Sequence, residues 1–229
     1  MLLDYEVLIT GNNLRLKDDF LGMSSIVLMR LPQGLMLVDT GGYISRLGLI
    51  KALRDRGIAA SDIKCVFLTH LHFDHSHNID LFPDATFYVS RAEWEYAKNP
   101  HVDDVLMPWC IHHQLQSGSL EIIDGEGTLC PGLGFFPSPG HTPGCYSLQF
   151  VAKDRARVIL AGDAIKYAKE AILVRCDNAY DTLENGTASI QRILHNADRI
   201  VPGHFSELIR QEGGAFSWNE GSEFNLVLR

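Results

Sequence analysis

Short apolar runs alternate with turn-forming residues along the chain, and that rhythm predicts strands. Residues 5–10 (YEVLIT), 24–31 (SSIVLMRL) and 35–40 (LMLVDT) are apolar stretches broken by Gly-Asn-Asn and Pro-Gln-Gly. The period then changes. Between 45 and 56, Leu47, Leu49, Ile50 and Leu53 recur among basic residues, which predicts an amphipathic helix ending at Gly57. Residues 63–70 (IKCVFLTH) and 86–90 (TFYVS) read as strands, and 91–98 (RAEWEYAK) as a helix. Segment 99–118 mixes polar residues with Leu106, Met107, Trp109 and Ile111, and reads as a helix with a loop on either side. Strands resume at 120–124, 133–138, 146–152 and 157–163; a long helix occupies 183–196 and a short strand 198–203. Strands and helices alternate in each half with no linker between them. The predicted architecture is α/β (α+β): an αββα sandwich of two mixed β-sheets between helices, in one domain over 1–229.

Composition leaves that picture intact. Hydrophobic residues make up 46% of the 229 positions and charged residues 21%, as in an ordinary globular protein. The net charge of −8 and the lack of any Lys/Arg run give no expectation of a nucleic-acid partner. No apolar run approaches the roughly 18–20 residues that cross a bilayer. The opening MLLDYEVLIT has an acidic residue at position 4 and no basic start, so no membrane association and a cytoplasmic location are expected. The cysteines (Cys65, Cys110, Cys130, Cys145, Cys176) are scattered, without a C-x-x-C, which fits a reducing compartment and small core residues.

Candidate chemistry is concentrated in one stretch. Residues 69–77 read THLHFDHSH, with histidines at 70, 72, 75 and 77 and an aspartate at 74. Three later signals each follow a predicted strand: SPGHTPG with His141, LAGDA with Asp163, and VPGH with His204. Strand ends fix ligand geometry while loops leave one side open. His70 and His72, two positions apart, present both imidazoles to one side of an extended segment, and Asp74 and His75 point to a neighbouring position. One loop can thus serve two adjacent metals: His70, His72 and His141 for the first, Asp74, His75 and His204 for the second, with Asp163 as bridge. Imidazole and carboxylate suit zinc, and also iron, manganese or cobalt. His77, His101, His112, His113 and His195 are read as polar residues outside this set.

These residues carry a resemblance to the metallo-β-lactamase superfamily. His70, His72, Asp74 and His75 match its H-x-H-x-D-H signature, and His141, Asp163 and His204 follow in the family's order, over roughly residues 5–210. The resemblance implies the αββα fold, two divalent metal ions, zinc first, and hydrolysis by a hydroxide held between them. It gives Asp74 a catalytic role as ligand and proton carrier. It also makes Asp39, in VDTG, a support for the metal loop, and Ser147 a hydroxyl near the site. Local pattern is most similar to the N-acyl-homoserine lactonase subgroup, which implies a small ester or lactone as the small-molecule substrate. In that subgroup a tyrosine three residues past the bridging aspartate polarises the substrate carbonyl. Here that position is Lys166, with Tyr167 next, and DHSHN stands where many members have a glycine pair. Trp94, Leu106, Met107 and Trp109 are candidates for an apolar pocket wall or for plain core. Other readings stay open: a glyoxalase II-like thioesterase, a mononuclear-iron persulfide dioxygenase, and a non-catalytic metal-binding protein.

Overall fold

The computed structural model describes residues 1–218. The expected domain limit at 229 takes in residues 219–229, which lie outside the described residues. One sheet contains β1 (Asp4–Ile9), β2 (Ile26–Leu31), β3 (Gly34–Val38), β4 (Ile63–Phe67), β5 (Thr86–Ser90) and β6 (Ser119–Ile123), side by side in chain order. From β3 to β6 neighbouring strands are parallel; β1, β2 and β3 pair antiparallel. The second sheet contains β7 (Gly127–Cys130), β8 (Leu133–Pro137), β9 (Tyr146–Val151), β10 (Arg157–Gly162), β11 (Arg199–Pro202), β12 (Leu208–Arg210) and β13 (Phe216–Trp218), again ordered along the chain. There only β10 and β11 run parallel. The helices are α1 (Arg46–Asp55), α2 (Phe73–Ser76), α3 (Arg91–Tyr96), α4 (Ile111–Gln116), α5 (Ala168–Leu173) and α6 (Leu183–Asn196).

Strand alternation distributes side chains among three cores. On β2, Ile26 and Leu28 pack toward the side of α1, while Val27 and Met29 face the other sheet. On β10, Val158 and Leu160 face between the sheets, while Ile159 and Ala161 pack with Ile190 and Ile193 of α6. Both faces of the inner strands are covered, which is why they read as continuous apolar runs rather than alternating ones. This is the αββα sandwich predicted. α6 begins where the Thr182 hydroxyl accepts from Asn185 N–H at 3.0 Å, a side-chain cap for the otherwise unpaired first turn.

The differences from the sequence reading lie in short elements. β7, β12, β13 and α5 are too short to carry a period, and none was predicted. Helix in 99–118 is confined to Ile111–Gln116, just after Pro108; residues 102–110 are mostly turns. The strand expected over 63–70 stops at Phe67, because residues 68–72 leave the sheet to form the histidine loop. The C-terminal ends of β3, β4, β10 and β11 meet at one edge of the sandwich, the usual place for a site in a parallel arrangement.

Candidate metal centre

The histidine loop leaves β4, bends at Thr69 and enters α2, so His70, His72, Asp74 and His75 come from one short stretch between strand and helix. Asp163 follows β10 and His204 follows β11; His141 sits on the loop between β8 and β9. All seven of these side chains are buried. Their ligand atoms gather in overlapping groups: His70, His72 and His141; His70, His75 and Asp163; and Asp74, His75 and His204. Asp163 joins them. Its Oδ2 lies 3.3 Å from His141 Nε2, while its Oδ1 lies 3.2 Å from His75 Nε2 and 3.4 Å from His204 Nε2. Asp74 Oδ2 lies 3.3 Å from His204 Nε2. A Cβ on Gly203 would stand 1.9 Å from Asp163 Oδ1, so only glycine lets the backbone pass there.

The nitrogens facing away from the centre explain which nitrogen faces in. His70 Nδ1 is 3.2 Å from Thr69 Oγ1, whose hydroxyl donates to Asp39 Oδ2 at 2.8 Å. His72 Nε2 donates to Asp104 Oδ2 at 3.0 Å, His75 Nδ1 to Asp39 Oδ2 at 2.8 Å, and His204 Nδ1 to the Met23 carbonyl at 3.0 Å. Each outer nitrogen thus carries a proton, so that in the neutral ring it is the inner one that presents a lone pair. His141 is the exception, since its Nδ1 has no partner. Inside, His72 Nδ1 and His141 Nε2 approach to 3.0 Å, and His70 Nε2, His75 Nε2 and Asp163 Oδ1 have no hydrogen-bond partner. Leaving such a group buried and unpaired costs about 1–3 kcal/mol. Lone pairs converging from imidazoles and a carboxylate are what a divalent cation requires, so these residues fit a metal centre.

For His70 and His141 the electrostatics agree with that fit. Burial pushes His70 and His141 well below the ordinary imidazole value, so both are in the neutral, ligating form at pH 7. Burial is the largest influence on His75 and His204 and opposes their charge, but the neighbouring carboxylates together (Asp163 and Asp74, with Asp39 for His75) outweigh it and raise both. Asp163 in turn is held well below the carboxylate range: burial would raise it, and His204, His75 and His141 prevail.

The supporting side chains include several that the sequence did not single out. Asp39 sits in left-handed backbone at φ 60°, a strained conformation for a non-glycine residue. Its carboxylate accepts from Thr69 N–H, the Thr69 hydroxyl and His75, which over-determines its position. Asp104, from the turn-rich segment before α4, accepts from His72, from the Tyr96 hydroxyl at 2.6 Å and from Leu106 N–H at 3.1 Å. Glu93 on α3 is buried and accepts from Leu71 N–H at 2.9 Å and the Thr142 hydroxyl at 2.6 Å, tying the His70–His72 turn to the His141 loop. The Ser90 hydroxyl accepts from Glu93 N–H at the start of α3, a local role that gives no hint of this contact. Asp104 had no signal beyond being acidic.

The remaining predicted residues fall outside the ligand cluster. Ser147 is buried behind the His141 loop, 2.8 Å from Ser138 Oγ and donating to the Ala161 carbonyl at 3.2 Å. Lys166 places its ammonium 2.6 Å from Glu170, and its carbonyl accepts from His204 N–H at 2.7 Å. The Tyr167 hydroxyl donates to Asp177 at 2.8 Å. Tyr180 reaches the centre instead: its ring stands edge-on to His72 at 5.6 Å and against His141 at 5.8 Å between centroids. Of the apolar wall candidates, Trp94 is core, whereas Trp109 is 95% exposed.

Comparison with known proteins matches residues 19–204 to the metallo-beta-lactamase superfamily. Metallo-beta-lactamase domain-containing protein 1 of Xenopus laevis is 30% identical over 187 residues, 82% of this chain and 72% of that protein. An N-acyl homoserine lactonase of a Bacillus species is 34% identical over 167 residues, 72% of this chain and 64% of that protein. The alignments therefore span roughly two thirds of these relatives. Among solved structures, AidC, a dizinc quorum-quenching lactonase bound to a product, superimposes with a TM-score of 0.69 at 23% identity, over 91% of this chain and 83% of that one. A Thermotoga maritima structure assigned as a metallo-beta-lactamase gives 0.74 at 22% identity, over 91% and 100%. At those identities the structural likeness speaks for the fold.

Proposed function

Because the chain belongs to the metallo-beta-lactamase superfamily, we propose that it is a dinuclear metal-dependent hydrolase acting on a small ester or lactone. The observation that carries this is Asp163: one carboxylate oxygen faces His141 and the other faces His75 and His204, so the residue lies between two sets of ligands. His70, His72 and His141 would hold one cation; Asp74, His75 and His204 the other; Asp163 both. Two divalent ions, zinc first and iron, manganese or cobalt by the same ligand chemistry, would supply an activated water and a Lewis-acid face when bound.

The chain's own groups do the rest. Asp74 is buried with one oxygen toward His204, leaving the other to orient a water or carry a proton to the leaving group. Asp39 and Asp104 fix the tautomers of His75 and His72. The lactonase relatives support an ester or lactone over other acyl substrates. A small molecule rather than a nucleic acid agrees with the net charge of −8. Among the described residues no helix is long and apolar enough to cross a membrane, and the five cysteines are unpaired, with which a cytoplasmic setting agrees.

The test is elemental analysis of protein purified without chelator, followed by a panel of esters, lactones, thioesters and phosphodiesters. The expected result is about two divalent ions per chain and turnover of a lactone or simple ester. One iron per chain, with oxygen uptake on a persulfide, would replace the proposal with a dioxygenase. Turnover confined to thioesters would replace it with a thioesterase, and no metal after reconstitution with a non-catalytic role.

A further inference from the structure

Buried charge outside the ligand set converges on one turn. Past β10 the chain runs through Asp163, Ala164 and Ile165 to Lys166, and then enters α5. This turn is bonded to the loop that carries His204: the Lys166 carbonyl accepts from His204 N–H at 2.7 Å, and the Ile165 carbonyl from Gly203 N–H at 3.0 Å. Lys166 is buried, so an ammonium lies inside the protein three residues from the carboxylate that stands between the two ligand sets. Among the described residues, however, Lys166 pairs with Glu170 and not with Asp163. Glu170 is fully buried on α5, 2.6 Å from the ammonium. It also accepts from Lys166 N–H at 2.7 Å and from Asp177 N–H at 2.9 Å, which engages both of its oxygens and fixes it against the turn. The Asn178 carbonyl faces the ammonium at 3.4 Å. Neither oxygen of Asp163 is spent on Lys166: one faces His141, the other His75 and His204.

An uncompensated ammonium at this place would act against a metal centre in two ways. It would repel a cation through a poorly screening interior, and it would offer Asp163 a competing partner. Asp163 feels this charge: burial, the largest influence on Lys166, pushes its ammonium down, but Glu170 and then Asp163 outweigh burial and hold it above the ordinary lysine value. Paired with Glu170, the ammonium presents little net charge to its neighbours. On the metal-centre reading given above, we propose that Glu170 is a positioning residue for the centre: it holds the Lys166 ammonium away from Asp163 and cancels its charge, so that both Asp163 oxygens stay turned toward the histidines. Such a shield has a sign that a mere brace of the turn lacks. Loss of Glu170 harms the centre only while Lys166 keeps its charge.

The experiment is a cobalt titration of the full chain after metal removal, read by the visible absorption of the bound ion, with thermal unfolding alongside. Glu170→Gln keeps an acceptor for the backbone but strands the ammonium, and should weaken cobalt binding about tenfold. Lys166→Met/Glu170→Gln removes both charges and should return the affinity to within about twofold of wild type, because neutral groups of similar volume can replace a buried pair. Lys166→Met alone leaves a carboxylate facing the centre and should bind cobalt at least as tightly as wild type, although its Tm falls. A double variant no tighter than Glu170→Gln overturns the shield, as does a loss of about tenfold in Lys166→Met or wild-type affinity in Glu170→Gln. Should Glu170→Gln not fold, the double variant decides: wild-type affinity supports the shield, and a loss of about tenfold overturns it. Wild-type protein that binds no cobalt overturns the metal reading and the shield with it. Cobalt binding without turnover of any ester or lactone overturns the hydrolase reading alone.

Discussion

The two halves of the centre use similar ligands but different backing. His72 and the His141 loop are braced by Asp104 and Glu93, carboxylates brought in by a turn-rich segment and a short helix, while His70 leans on Thr69, itself held by Asp39. His75 and His204 are braced by Asp39 at the end of β3 and by main-chain carbonyls of Met23 and Asn12; Ser24 adds a hydrogen bond to the Asp74 carbonyl at 2.5 Å. One half is held mainly by side chains reaching over from α3 and the turn-rich segment before α4, the other by the rim of the sheet and the chain that leads into β2. Ligand identity sets what the centre can bind, while the backing sets how rigidly each half presents it. The halves should therefore respond unequally to loss of backing, with Asp39 felt chiefly at His75 and only indirectly at His70, and equally only to loss of a ligand they share.

Asp163 is what they share, so Asp163→Ala should have the largest effect. Metal content should fall to less than about half of the wild-type value, and turnover should be abolished. Retention of both ions would mean that the halves are independent sites and that Asp163 does not bridge them. Asp39 comes next, since Asp39→Ala strands His75, Thr69 N–H and the Thr69 hydroxyl together. Metal affinity should fall about 10- to 100-fold, chiefly in one of two steps of a cobalt titration. Asp39→Gly separates carboxylate from backbone, because glycine relieves the φ of 60° at this position. Both variants should lose affinity alike; recovery in the glycine variant would assign the role to the backbone.

The asymmetry also explains what was legible in the sequence. The ligands His70, His72, Asp74, His75, His141, Asp163 and His204 stand beside glycines or at strand ends, where short local patterns announce them. Asp39 was legible for the same reason. The two-sheet architecture was legible because buried strands leave short apolar runs such as Ile26–Met29 and Val158–Ala161. Asp104, Glu93 and Tyr180 were not, because each acts across a separation that no local pattern encodes. Asp104 meets His72 from 32 positions away, and Glu93 meets Thr142 from 49. Lys166 and Tyr167 stood next to a ligand in sequence, yet their side chains turn to Glu170 and Asp177. Proximity along the chain near a strand end does not fix direction in space.

Asp104→Asn tests the other half more gently. The amide oxygen can still accept from His72 Nε2, but the charge that supports the ligand is gone, and the Tyr96 hydroxyl competes for the same oxygen. About a tenfold loss is expected in one cobalt-binding step. It should be the step that Asp39→Ala leaves unchanged. If both variants weaken the same step, the division of the centre into separately backed halves is wrong.

Ser147→Ala should have the smallest effect, and it sharpens the boundary between backing and packing. The family resemblance puts a hydroxyl here near the site, but this one is spent on Ser138 and on the Ala161 carbonyl beneath the His141 loop. Its removal leaves the Ser138 hydroxyl and one carbonyl with a buried partner fewer, at a cost of about 1 kcal/mol. In a chain of this size that lowers Tm by about 2–4 °C. The His141 loop keeps its bonds from Ser138 N–H to the Cys145 carbonyl and from Thr142 to Glu93, so His141 should stay in place. Both cobalt-binding steps should match the wild type, and kcat and KM should be unchanged. A drop in kcat with full metal content would instead bring this hydroxyl into contact with the reacting groups, and the wall behind His141 would then belong to the site.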